Sequence, residues 1–237
     1  GLVPVKEFPY ALTRAAFSPR DAARAGDVWR AFQDVAVQAA SRNGWSPMRM
    51  SEVRSAFVVR TMTVVHHRET AFGEPLLGRS WVRKWRRDML STREVRLTAQ
   101  GLGVASGTQE WAHIGENGAL ARAPAEMIAD LGEYDEGGIE LPTYTKREGA
   151  TRTFAFRTWH TWMDPLGHVN HPMYVDFCDE ATSVAIARLG VDPVGLAPVA
   201  EQVTFRVPVF AGDEVTVTSR LAGGREDGTL ALHHVIG

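Results

Sequence analysis

The same order of elements occurs twice along the chain, and this repetition limits it to folds built from two like units. A strand pattern over residues 8–17 is followed by a helix from about Gly26 to Asn43 and by four β-rich runs, at 55–66, 77–86, 92–98 and 104–114. Residues 115–150 change character, with Gly, Pro and acidic side chains around a short helical stretch at 124–131. The order then restarts with a strand at 151–159, a helix from about Pro172 to Leu189, and strands near 199–207, 214–221 and 229–236. This predicts an α+β protein with a unit at 1–114, a linker at 115–150 and a second unit at 151–237.

Residue identities support the duplication. Phe32, Asp34 and Ala36 on the first helix stand at one constant offset from Phe177, Asp179 and Ala181 on the second, and the helices end at Gly44 and Gly190. In the first, Val28, Phe32, Val35, Ala36 and Ala39 recur at three- and four-residue steps, the spacing of one apolar helix face. Tyr174, Phe177, Ala181, Val184, Ala185 and Leu189 do the same in the second. The second half has three strands after its helix where the first has four.

With 237 residues, 44% of them hydrophobic, the chain can bury a full core. Its net charge of −2 comes from interspersed charges, which supply none of the basic field that nucleic acid or an anionic membrane requires. The most basic stretch, residues 83–87, is read as a solvated strand end. The single cysteine, Cys178, excludes an intramolecular disulfide and fits a reducing compartment, so a cytoplasmic location is expected. No signal-like start and no membrane-length apolar run is evident.

Chemistry concentrates at Asp164-Pro-Leu-Gly-His-Val-Asn-His-Pro-Met-Tyr174, just before the second helix. A carboxylate, an imidazole and an amide are gathered there. Asn170 suits an N-cap and Pro172 the first turn, so backbone N–H groups from Val169 to Met173 are expected to be unpaired and able to hold an oxyanion. Asp164 could attack a carbonyl or activate water, with His168 orienting it or shuttling a proton. The same residues also read as a plain turn with Asp164 first and Asn170 as a cap. His160, Asp164, His168 and His171 are potential metal ligands, but they lack the two histidines four apart on one helix that zinc hydrolases use. Cys178, inside the helix beside Phe177, reads as a core thiol.

The motif Asp-x-x-Gly-His-Val-Asn-x-x-x-Tyr, here Asp164, Gly167, His168, Val169, Asn170 and Tyr174, together with the element order, resembles the hotdog-fold thioesterases. Two units in one chain, with Trp81 and Trp111 in the first meander, resemble the acyl-ACP thioesterase branch. The resemblance implies two antiparallel sheets, each wrapped around a long helix, and hydrolysis of a fatty acyl thioester without a cofactor. It makes Asp164 the base or nucleophile and His168 its assistant, with Asn170 holding the thioester and Gly167, Val169 and Tyr174 lining the substrate site. Applying the repeat offset to Asp164, His168 and Asn170 lands on Pro19, Ala23 and Ala25, so one site per chain is expected.

Two positions depart from the plant-type pattern. Leu166 stands where those enzymes carry Asn, and Pro208 and Val209 where they carry a Glu-Cys pair. Carboxylate chemistry is left, with Glu180 as a second candidate carboxylate and the carrier open between acyl carrier protein and coenzyme A. A hotdog dehydratase or hydratase, or a non-catalytic acyl-thioester-binding protein, would share the fold. Chain-length preference depends on which of Phe57, Val59, Met62 and Trp81 face inward. A homodimer would cover sheet edges, as would pairing of the two units within one chain.

Overall fold

The computed structural model describes residues 3–237. The first half contains β1 (Lys6–Tyr10), α1 (Ala25–Arg42), α2 (Pro47–Glu52), β2 (Ala56–His66), β3 (Leu76–Arg86), β4 (Leu90–Ala99) and β5 (Leu102–Ile114). Next come α3 (Ala125–Leu131) and the two-residue β6 (Thr145–Lys146). The second half contains β7 (Thr151–Arg157), α4 (Met173–Ala187), β8 (Ala200–Thr204), β9 (Glu214–Gly224) and β10 (Leu230–Ile236). β1 stops well short of residue 17 because Arg14–Ala16 form a 3-10 turn. Helix α2, absent from the sequence reading, is too short to show a period; it is started by Pro47 and by Ser46, whose hydroxyl accepts from the Arg49 N–H at 3.2 Å.

The apolar stripe of α1 buries Val28, Trp29, Phe32, Val35, Ala36 and Ala39 against the first sheet. Burial of a side chain such as Phe32 contributes roughly 1.5–3 kcal/mol. Its ring lies so close to β5 that a Cβ added to Gly107 would sit 2.3 Å from it. Alternation along the strands turns Met62 and Val64 on β2 and Val95 and Leu97 on β4 toward the helix.

This sheet is antiparallel in the order β1-β3-β4-β5-β2-β8. Its last strand belongs by sequence to the second half: β8 pairs with β2 from Thr61↔Thr204 to Val65↔Ala200, so the sheets do not divide where the sequence halves do. Glu201 on β8 secures the junction, accepting from Trp29 Nε1 at 2.7 Å and meeting His66 Nε2 at 2.7 Å. The second sheet has β9 between β10 and β7, with β6 against the end of β9. In repeat terms β7, β9 and β10 correspond to β1, β3 and β4, and β8 to β2. Among the described residues no strand fills the place of β5 between β10 and β8.

Helix α4 packs Tyr174, Phe177 and Ala181 with Val169 and Val217 in its own core. It meets α1 through an Arg30–Asp176 ion pair, and Arg30 Nη2 also reaches Met173 Sδ at 3.0 Å. Residues 133–138 lie as a strap over the outer face of the first sheet. The Tyr134 N–H donates to Val82 O at 2.9 Å, and Trp81 Nε1 donates to Glu136 O at 2.9 Å. Trp81 therefore faces outward under the strap, whereas Met62 faces α1. No described helix is long and apolar enough to cross a membrane.

Candidate active site

The motif folds as a tight loop closed by a Met163↔Val169 bridge. The Asp164 N–H donates to His168 O at 2.7 Å, and the Gly167 N–H donates to Asp164 O at 2.9 Å. Gly167 closes the turn with φ +78°, a conformation that costs a side-chain-bearing residue energy. Within the loop, Asp164 Oδ1 accepts from the Leu166 N–H at 2.8 Å and from the His168 N–H at 3.2 Å. Oδ2 has no partner among the described residues. The turn reading and the catalytic reading thus describe two oxygens of one carboxylate, one anchored and one available.

Two expectations about the start of the helix are corrected. Asn170 does not cap α4, whose flanking residue is Pro172, with no side-chain cap bond. Its amide instead crosses to α1, where Gln33 Nε2 donates to Asn170 Oδ1 at 2.7 Å and Asn170 Nδ2 donates to Gln33 Oε1 at 3.0 Å. Nor is the backbone from Val169 to Met173 a row of free donors. The N–H groups of Val169, Asn170 and Met173 donate to Val209 O, Trp162 O and Asn170 O, at 2.8, 2.9 and 2.9 Å. Pro172 has no N–H. The His171 N–H alone in this stretch lacks an acceptor among the described residues. The expected oxyanion site thereby shrinks to one backbone donor, because the loop folds back on β9's approach and on Trp162 before the helix begins.

The His168 imidazole turns to the Phe210 ring, edge to face at 5.3 Å, and its link to Asp164 runs through backbone. Val169 is buried in the α4 core. Tyr174 is buried too, and burial first, with the Asp164 charge second among the causes that raise it, holds its phenol protonated above the ordinary range. Cys178 is pushed up to about 12, first by burial and then by Asp179, so it is no nucleophile at neutral pH. Glu180 lies on the exposed side of α4. Among the described residues no three His, Cys, Asp or Glu side chains gather to hold a metal ion.

The fold brings Gln33 of α1 to this loop and gives His171, within the loop, a place that residue type does not reveal. Gln33 carried no signal, since its neighbours Phe32 and Asp34 bore the repeat. In the sequence His171 has the form of a metal ligand only. It is buried between the rings of Trp111 and Phe205, each edge to face at 5.8 Å, and its Nε2 has no hydrogen-bond partner among the described residues. Burial pushes this imidazole down to about 3, so it is neutral at physiological pH. Trp111 comes from β5, so the motif loop of the second half abuts the first sheet.

Residues 158–236 match the family model described as the thioesterase-like superfamily. No curated protein matches the chain by sequence. Among solved structures, a protein from Lactobacillus plantarum described as an oleoyl thioesterase superposes with a TM-score of 0.82 at 15% identity, covering 98% of this chain and 90% of that one. An acyl-ACP thioesterase from Bacteroides thetaiotaomicron gives 0.74 at 12% identity, with 99% and 98% covered. The 12:0-ACP thioesterase from Umbellularia californica gives 0.73 at 16% identity, with 98% and 88% covered. The chain is therefore a double-hotdog protein with the architecture of the acyl-ACP thioesterases, and its second half carries the match to the thioesterase-like superfamily.

Proposed function

We propose that the chain hydrolyses an acyl thioester to the free acid and the thiol, with Asp164 as the general base. The observation that carries this is the divided carboxylate: Oδ1 is fixed by two amides of its own loop, and Oδ2 is left without a partner among the described residues. A carboxylate so oriented takes a proton from water as the water oxygen bonds to the thioester carbon. Charge then develops on the carbonyl oxygen, for which the His171 N–H is the nearest uncommitted backbone donor in the loop. Collapse of the adduct breaks the C–S bond, and the proton held by Asp164 goes to the departing thiolate. Asn170, held by Gln33, and the protonated Tyr174 are the polar groups that flank the loop.

Acyl carrier protein is the first carrier to try, because two of the similar structures are acyl-ACP thioesterases, and coenzyme A is the second. The test is thiol release from acyl-ACP and acyl-CoA by the wild-type protein and by Asp164→Asn. Asparagine keeps an oxygen to accept the loop amides, so the expected result is unchanged melting and a loss of activity of at least about 100-fold. Wild-type rates in the variant would overturn the role of Asp164. Binding of acyl thioesters without thiol release by the wild type would overturn hydrolysis.

A further inference from the structure

Arg93 lies in the middle of the first sheet and faces the helix. The cross-strand row Val82, Arg93, Gln109 and Met62 runs over β3, β4, β5 and β2, and both outer members are buried in apolar clusters. The arginine is 7% exposed. Its Nη1 donates to Ser80 Oγ at 3.1 Å, while Nε and Nη2 have no acceptor among the described residues. It makes no ion pair there either. The neighbouring Glu94 points to the opposite face, where Arg83 at 3.7 Å and Arg96 at 3.3 Å already share it. Beside Arg93, the Gln109 amide is fully buried, and its Nε2 reaches only the weak acceptor Met62 Sδ at 3.7 Å. A buried cation without a counter-charge costs several kcal/mol in general, and a purely alkyl lining would have no use for it. Burial pushes this guanidinium down to about 10, which leaves it charged at neutral pH.

The row is tied to the motif loop. Trp111 Nε1 donates to Gln109 Oε1 at 3.0 Å, and the Trp111 ring is the one that meets His171. Arg93 is one strand over and two residues along from Trp111, a displacement of roughly 8 Å. Arg93 and Gln109 stand side by side on the helix-facing side of neighbouring strands, and among the described residues their donors find only Ser80 Oγ and Met62 Sδ, on opposite sides of the pair; a carboxylate, which only accepts, is the chemistry that completes them. The planar guanidinium fork matches it in two parallel bonds.

We propose that the acyl part of the substrate runs from the motif past Trp111 along the helix-facing side of the first sheet, and that Arg93, with Gln109, receives a carboxylate at its far end. The preferred substrates are then thioesters of short to medium dicarboxylic acids. This assignment of substrate class rests on the thioesterase reading above.

The experiment compares coenzyme A thioesters of equal length that end in a methyl group or in a carboxylate, with wild type, Arg93→Met and Arg93→Lys. The wild type is expected to favour the carboxylate-ended thioester at least tenfold in kcat/KM, chiefly through KM. Arg93→Met should reverse the preference, and Arg93→Lys, which keeps the charge but loses the fork, should fall between. Equal use of both thioesters by the wild type, or an unchanged preference in a folded Arg93→Met, overturns the proposal. If neither thioester is cleaved, the same two acyl groups are presented on acyl carrier protein; if those are not cleaved either, the thioesterase reading fails, and calorimetric titration of free dicarboxylates against monocarboxylates of equal length still decides the site. Tighter dicarboxylate binding that disappears in Arg93→Met upholds it, and equal binding overturns it.

Discussion

The side-chain amides of Gln33 and Asn170 bond each other in both directions, at 2.7 and 3.0 Å, and so tie the motif loop of the second half to the central helix of the first. Both groups are partly buried, and a broken pair leaves the survivor short of partners. Each single change, Gln33→Ala or Asn170→Ala, is expected to cost about 1–2 kcal/mol, and the double variant less than the sum. Urea unfolding of the four proteins measures the coupling; strict additivity would show that the pair carries no energy. Gln33→Leu should also slow turnover, although Gln33 lies far from the loop in sequence.

His171 makes stability depend on acid. Unfolded, its imidazole takes up a proton near 6.5; folded, burial lowers this to about 3. Between those values the unfolded chain binds more protons, so the contribution of His171 to stability is intact above pH 6.5 and falls as pH drops toward 3. By pH 5 the loss from this one group is about 2 kcal/mol. In His171→Phe, whose ring suits the space between Trp111 and Phe205, that part of the acid limb should vanish. Unfolding free energies at pH 7 and pH 5 for both proteins check it, and equal drops would remove His171 as the cause.

Gly26 separates the two central helices. A Cβ there would collide with Oδ1 of Asp176, the carboxylate whose Oδ2 is engaged with Arg30. Helix propensity alone favours alanine over glycine by about 1 kcal/mol. The crowding is expected to win, because the carboxylate must leave its arginine and α1 must shift from α4, for a net loss of about 1–3 kcal/mol. A higher melting temperature in Gly26→Ala would show instead that Asp176 swings away at no cost.

The element order was readable along the chain because amphipathic periods and glycine stops are local properties. Helix α1 lies within one residue of its expected bounds, and β2 to β5 follow in the expected order along the chain; only β3, β4 and β5 form a meander, because β2 pairs with β5 and β8 instead of β3. The motif loop was legible as a place. Its internal bonding was not, since the same Asp164 that begins a turn also presents a free oxygen, and residue type does not say which oxygen is used. Asn170 is the clearest case. A helix-start preference predicted a cap, and a partner more than a hundred residues away outcompeted it.

The sequence by itself determined two like units, the buried stripe of α1 and the first half of that of α4, whose expected end at Leu189 is exposed, and a loop rich in polar groups before the second helix. Each follows from covalent spacing acting through the periods of helix and strand. Only the tertiary structure decided that β8 joins the first sheet, that Trp111 meets His171, and that Arg93 faces the helix with no counter-charge among the described residues. Alternation says that a side chain points inward, but which group it finds there depends on strand order and on the packing of one half against the other, and no local pattern encodes either.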